Sequence, residues 1–96
     1  MPLLEQLRAR KEELLAIAAR SGLGSIKVFG SVAHGEETPE SDIDFLVEYR
    51  TGSDPLGFVD FQDAVSALTQ RKVDIVFEKG LSHLLRERIH QEAVPL

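Results

Sequence analysis

The chain has 96 residues, which predicts one packed domain over residues 1–96 and leaves no room for two. Its hydrophobic fraction of 43% and charged fraction of 28% are typical of a globular protein and argue against disorder. The absence of cysteine excludes disulfides and thiolate metal sites. No apolar run approaches a membrane span or a signal peptide, so we expect a cytoplasmic protein with no membrane partner.

The net charge of −5 is concentrated in the middle of the chain. Residues 28–70 contain nine acidic residues and only Arg50 as a base, a balance of −8, while the flanking segments carry +2 and +1. A nucleic-acid binder usually shows a basic stripe, and the sequence has none, so we expect no direct nucleic-acid binding. The acidic middle predicts either a cation site or a surface for a basic partner.

The first predicted element is a single helix from Leu3 to about Ser21. Leucines and an alanine recur there at helical spacing, at positions 4, 7, 14, 15 and 18, and Gly22 is a suitable stop. The apolar run Ile26–Phe29 then predicts a strand that ends abruptly at a Gly-Ser turn, followed by a short helix.

The rest of the chain alternates strands and helices. Residues 35–41 form a polar loop, and Asp42–Tyr49 alternates strictly between two faces, which predicts a strand. A helix is expected over Leu56–Leu68, a third strand over Val73–Phe77 and a last helix over Ser82–Ala93, with its first serine as N-cap.

This order predicts an α/β or α+β fold, in which helices flank a small mixed β-sheet of three or more strands. Exposed sheet edges and an apolar last helix would allow the chain to pair with itself or with a partner, so an oligomer is possible.

Two carboxylates in the middle of the chain are the first candidates for chemistry. Asp42 and Asp44 lie two apart on the predicted strand, so both would project from one face, about 6.5–7 Å apart. That spacing lets them converge on a divalent cation, which would also relieve their mutual repulsion. Taken alone, the pair would favour a solvated strand face, because such short motifs are common.

Asp74 is the second candidate, because it interrupts the apolar run of the third strand. A buried carboxylate is costly unless it is paired or bound to metal, so pairing of this strand with the acidic one would bring three carboxylates together. The alternative is an edge strand with Asp74 in water.

Gly30 and Ser31 are the third candidate feature. A strand that ends in Gly-Ser and leads into a short helix offers backbone N–H groups and a hydroxyl to a phosphate. An ordinary turn would have the same two residues, so the dipeptide acquires weight only through its spacing. Ten residues separate it from Asp42-x-Asp44.

With that spacing, the run FGSVAHGEETPESDIDFLVEY resembles the signature of the nucleotidyltransferase superfamily related to DNA polymerase β. It is most similar to the minimal nucleotidyltransferases of prokaryotic toxin–antitoxin pairs. The resemblance extends over RKVDIVFEKGL and the ending LRERIHQEAVPL, and therefore over nearly the whole chain.

The resemblance implies a polymerase β-like nucleotidyltransferase fold, with Mg²⁺ held by Asp42 and Asp44 and the triad completed by Asp74. Gly30 and Ser31 would meet the triphosphate. It also implies the reaction: AMP passes from ATP to a hydroxyl, expected to be a tyrosine, of a cognate HEPN-domain toxin, and this modification silences the toxin. Asp74 would bind the metal or accept the proton of the acceptor hydroxyl.

The chain departs from the family pattern at two positions. Relatives often carry arginine directly after the Gly-Ser and again before the next glycine, where this chain has Val32 and His34. Two cations near the phosphates are thus missing, which predicts weaker nucleotide binding or slower turnover. His34 could donate a hydrogen bond to phosphate, although a plain polar loop residue is the simpler interpretation.

Two other functions compete with nucleotidyl transfer. In the first, the protein is a non-catalytic antitoxin that neutralises its partner by masking it, and the acids serve only structure or surface charge. In the second, it senses ATP without transferring any part of it. Convergence of the three acids on one face would favour the enzyme, because a masking protein has no need of it.

Overall fold

In a computed structural model, residues 2–96 are described and form a four-stranded mixed sheet flanked by helices. The elements, in chain order, are helices α1 (Leu3–Ala9) and α2 (Lys11–Arg20), strand β1 (Leu23–Phe29), helix α3 (Gly30–His34), strand β2 (Ile43–Tyr49), helix α4 (Phe58–Thr69), strand β3 (Val73–Phe77), helix α5 (His83–Glu92) and strand β4 (Val94–Pro95). The predicted fold class is therefore confirmed.

The sheet has the strand order β3-β2-β1-β4. Strand β1 pairs antiparallel with both β2 and β4, whereas β2 and β3 run parallel. The register places Phe29 opposite Asp44, and Asp44 opposite Asp74. The end of β1 and the beginnings of β2 and β3 therefore lie at the same end of the sheet, and this end carries the candidate residues.

The main core lies on the face of the sheet covered by α1, α2 and α4. Phe45 of β2 and Phe61 of α4 are fully buried there, with their rings edge to face at 5.2 Å. Leu46 is also buried but points to the opposite face, the one that carries Asp44, because successive strand residues alternate. Helix α5 is tied to the end of β3 by a contact between His90 Nε2 and Glu78 Oε1.

The predicted first helix is wrong as a single element, because it is interrupted at Arg10. The backbone there leaves helical geometry, with φ −107° and ψ 21°, and the Arg10 N–H closes on the Leu7 carbonyl at 3.0 Å. No glycine or proline marks this break. Tertiary contacts accompany it instead, since the Leu3 N–H donates to Glu37 Oε1 at 2.8 Å and Arg10 Nη1 donates to the Leu68 carbonyl at 3.4 Å.

The other elements agree with the sequence patterns to within about two residues, except that β1 begins at Leu23, three residues before the predicted Ile26. Strand β3 has the predicted bounds, and Ser82 caps α5 by accepting from the Leu85 N–H at 3.4 Å. Strand β4 was not predicted, because two residues are too few for a period, and Pro95 lacks the N–H that a strand usually donates. None of the helices in residues 2–96 has the length and apolar composition needed to cross a bilayer.

Candidate active site

The turn after β1 brings its glycine against an acidic side chain. Phe29 is extended, and Gly30 then takes a φ of 73°, which permits the sharp change of direction into α3. A Cβ at position 30 would overlap Asp44 Oδ2, so the carboxylate packs directly on the glycine backbone. The structure thus places the two ends of the Gly-Ser and Asp-x-Asp motif side by side.

The parallel pairing of β2 with β3 confirms the predicted alignment of two acids. Asp44 and Asp74 are direct partners in the register, so their side chains leave the sheet on the same face. Strand β3 is nevertheless an edge strand, and 42% of the Asp74 side chain is exposed. Both sequence interpretations of Asp74 therefore hold in part: it lies beside Asp44, and it is in contact with water.

Asp42 lies just before β2 and not on it, which corrects the predicted strand Asp42–Tyr49. The first bond to the neighbouring strand region comes from the Ile43 N–H to the Lys72 carbonyl, at 3.0 Å. Strand alternation therefore sets the face on which Asp44 lies, whereas the position of Asp42 depends on the preceding loop.

That loop is held in place by Arg71. Arg71 Nη1 donates to the Thr38 and Ser41 carbonyls, both at 2.9 Å. Within the loop, the Thr38 N–H donates to Ser41 Oγ at 2.8 Å. These bonds fix the residue directly before Asp42, so a cation at the start of β3 positions an acid at the start of β2.

Lys72 lies between two of the acids. Its Nζ is 3.8 Å from Asp42 Oδ2 and 3.9 Å from Asp74 Oδ1. Neither Lys72 nor Arg71 was among the site residues predicted from the sequence. The signal was present, because Lys72 precedes Asp74 by two residues, the spacing of one strand face.

The pKa of Asp44 is raised above its ordinary value, first by partial burial and then by the negative charges of Asp74 and Asp42. Each of these causes disfavours the ionised form of the carboxyl group. Proximity of a cation would lower that cost. The three carboxylates are hard oxygen donors, which is the ligand type that Mg²⁺ prefers.

The acids fit a divalent cation in donor type and charge, but they are not preassembled around one. In the part of the chain that the structure describes, no three histidine, cysteine or acidic side chains are gathered as a metal-coordinating group. The ammonium of Lys72 supplies positive charge among them instead. A metal ion would therefore have to draw the carboxylates together and replace this ammonium.

The two positions that depart from the family pattern differ in their surroundings. Val32 is fully buried in the main core, so its side chain serves packing. His34 is exposed at the end of α3. The buried valine therefore offers no charge to a phosphate, whereas the exposed histidine lies at the surface.

Comparison with known proteins assigns the family. The sequence model of the nucleotidyltransferase domain family matches residues 10–96, and the chain therefore belongs to this family. The resemblance of the Gly-Ser and Asp-x-Asp motif is confirmed by this match, and the enzyme class is nucleotidyltransferase.

Individual relatives indicate which kinds of nucleotidyltransferase the chain is similar to. The chain is 33% identical over 88 residues to the protein adenylyltransferase MntA of Thermococcus cleftensis, covering 92% of this chain and 86% of that one. A solved structure described as a proposed minimal nucleotidyltransferase is 45% identical with a TM-score of 0.84, covering 97% and 95% of the two chains. A chain from the Shewanella oneidensis complex of a tri-AMPylated HEPN toxin with its MNT antitoxin shares the fold at 17% identity, with a TM-score of 0.64 and coverage of 92% and 69%.

Substitution of Gly30 tests the contact between the turn and Asp44. Gly30→Ala adds a methyl group that overlaps Asp44 Oδ2, and it also places an alanine at a φ of 73°, which side chains rarely adopt. Gly35→Ala is the matched control, since it has a φ of 72° and nothing within 4 Å of the added group. We expect Gly35→Ala to cost about 1–2 kcal/mol through φ alone, and Gly30→Ala to cost about 1–3 kcal/mol more through overlap. Urea unfolding measures both, and equal losses would contradict the packing of Asp44 on Gly30.

Neutralising Asp44 tests the cost of ionising it, which partial burial and the charges of Asp74 and Asp42 raise. Because its pKa is raised in the folded state, ionisation destabilises the fold, and stability is lost as the pH rises through that pKa. Without divalent cations, Asp44→Asn is therefore expected to stabilise the protein at neutral pH by up to about 1 kcal/mol, a limit set by solvent screening.

The same variant should show no gain at a pH low enough to protonate the carboxyl in both states. Thermal unfolding across this range, with Asp60→Asn on the exposed surface of α4 as the control, measures the effect. A gain in stability that is independent of pH would contradict the assignment to ionisation.

Proposed function

We propose that the protein transfers AMP from ATP to a hydroxyl group, expected to be a tyrosine, of a cognate HEPN-domain toxin, and that it acts in this way as a Mg²⁺-dependent antitoxin. The observation that carries the proposal is the packing of Asp44 between Gly30 and Asp74. This arrangement sets a candidate metal ligand beside a candidate phosphate site.

The relatives support the choice of donor and acceptor. MntA of Thermococcus cleftensis is a protein adenylyltransferase, which implies ATP as donor and a protein as acceptor. In the Shewanella oneidensis complex the HEPN toxin is AMPylated and is bound to an MNT antitoxin. The present chain spans 86% of the length of MntA, and this coverage supports the same activity for it.

The proposed step forms one bond and breaks one bond. The acceptor oxygen attacks the α-phosphorus of ATP, the bond from that phosphorus to the bridging oxygen breaks, and pyrophosphate leaves. The hydroxyl proton passes to a carboxylate or to water. A positioned electrophile and a stabilised leaving group account for most of the rate in such transfers.

The residues of the chain divide this work between the two sides of Asp44. On the β1 side, the N–H groups at Gly30 and Ser31 and the serine hydroxyl would bind phosphate oxygens. Asp42 and Asp44 would bind Mg²⁺, which supplies positive charge against the phosphates when bound. On the β3 side, Asp74 would either share the metal or accept the proton of the hydroxyl.

Labelled ATP separates transfer from masking. The protein is incubated with Mg²⁺, α-labelled ATP and the product of the neighbouring gene. We expect label on that partner, and a loss of at least about 100-fold in the rate of labelling when Asp42 and Asp44 both become Ala, because these would be metal ligands. Asp60→Asn should label at the wild-type rate.

Each alternative function gives a different outcome of this assay. Neutralisation of the partner that survives the Asp42→Ala/Asp44→Ala change, with no label transferred by the wild type, would establish masking and overturn the proposal. Binding of ATP without transfer to any partner would indicate a sensor. A parallel incubation with γ-labelled ATP should leave the partner unlabelled, because label from the γ-phosphate would indicate a kinase.

A further inference from the structure

Two adjacent basic residues lie near the acids, and their side chains are held to different degrees. Arg71 is fixed by its two hydrogen bonds to loop carbonyls at 2.9 Å. The side-chain ammonium of Lys72 forms ion pairs with Asp42 at 3.8 Å and with Asp74 at 3.9 Å, and 72% of the side chain is exposed. These distances exceed ordinary hydrogen-bond lengths, and the four-carbon stem of lysine is flexible. Lys72 is therefore the basic residue at this site that can move away at little cost.

The ammonium of Lys72 also lies where positive charge is most needed. It contacts Asp42 and Asp74, the two acids whose charges add to partial burial in raising the pKa of Asp44. A divalent cation that binds these acids meets a positive charge among them and has to expel it. The same charge would attract an anion.

We propose that Lys72 is a displaceable internal counter-ion, which makes the acid site favour a metal–nucleotide complex over a free divalent cation. Without ligand it offsets the charges of Asp42 and Asp74. Free Mg²⁺ carries +2 and is opposed by the ammonium, whereas Mg²⁺ bound to a triphosphate carries net negative charge and is not. This inference rests on the proposed function, because it requires that the acids bind the metal.

Lys72 lies at the lateral edge of the sheet, where a displaced ammonium can move into solvent. Lys72 precedes the edge strand β3, and Gly30 lies on the other side of β2, at the end of β1. The candidate phosphate site and the lysine are therefore separated by Asp44. Lys72 can withdraw into solvent beyond the sheet edge and leave the turn at Gly30 undisturbed.

The test uses Mg²⁺ titrations of the whole chain, followed by the NMR shifts of the backbone amides of Asp42, Asp44 and Asp74. One series uses Mg²⁺ alone, and the other uses Mg²⁺ with the non-transferable analogue α,β-methylene-ATP. The variants are Lys72→Gln and Lys72→Arg, with Lys79→Gln as the matched control. Lys79 is an exposed lysine just beyond the other end of β3, so its substitution makes the same change in net charge away from the acids.

We expect Lys72→Gln to bind Mg²⁺ alone roughly 3- to 10-fold more tightly than the wild type, a range set by partial screening at an exposed site. Lys72→Arg and Lys79→Gln should stay within about two-fold of the wild type. The first keeps the local charge, and the second removes a charge beyond the opposite end of β3 from the acids. For the metal–analogue complex, Lys72→Gln should bind no more tightly than the wild type.

Equal Mg²⁺ affinities for Lys72→Gln and Lys79→Gln would overturn the proposal while leaving the metal site intact. A gain for Lys72→Gln of the same size with and without the analogue would also overturn it, because the lysine would then not discriminate between the two ligands. If no variant shows Mg²⁺-dependent shifts at the three acids, the metal site of the proposed function fails, and the counter-ion role fails with it.

Discussion

The repulsion among three carboxylates that lie near one another at one end of a small sheet is the constraint on which the rest of this structure depends. The pairing of β2 with β3 places Asp44 directly beside Asp74, and the loop before β2 adds Asp42. Partial burial first, and then the negative charges of Asp74 and Asp42, raise the pKa of Asp44. A fold that served stability alone would gain from replacing Asp44 with a neutral residue. The arrangement is thus understandable as a site whose charge a ligand completes.

The surrounding residues hold this unfavourable arrangement in a defined shape. Gly30 admits the carboxylate of Asp44 against its backbone, where any side chain would collide. Arg71 fixes the loop that leads to Asp42, and Lys72 offsets part of the charge. The two basic residues come from one short stretch before β3. A single edge strand therefore brings an acid, its counter-ion and the anchor of a neighbouring loop.

Much of the fold and of the candidate site could be predicted from the sequence, because both depend on local patterns. Alternation predicted β2, and the apolar run predicted β3 with its acid. The break at Arg10 could not be predicted, since no residue there opposes a helix and long-range contacts to Glu37 and Leu68 accompany it. The role of Arg71 was hidden for a similar reason, because its partners lie about 30 residues away.

The most direct measurement is a crystal structure of the chain with Mn²⁺ and α,β-methylene-ATP, in which anomalous scattering locates the metal. We predict Mn²⁺ bound directly by carboxylate oxygens of Asp42 and Asp44. We also predict triphosphate oxygens within hydrogen-bond distance of the backbone at Gly30 and Ser31, and the ammonium of Lys72 withdrawn from Asp42. Metal bound elsewhere, or a nucleotide that makes no contact with this turn, would contradict the account.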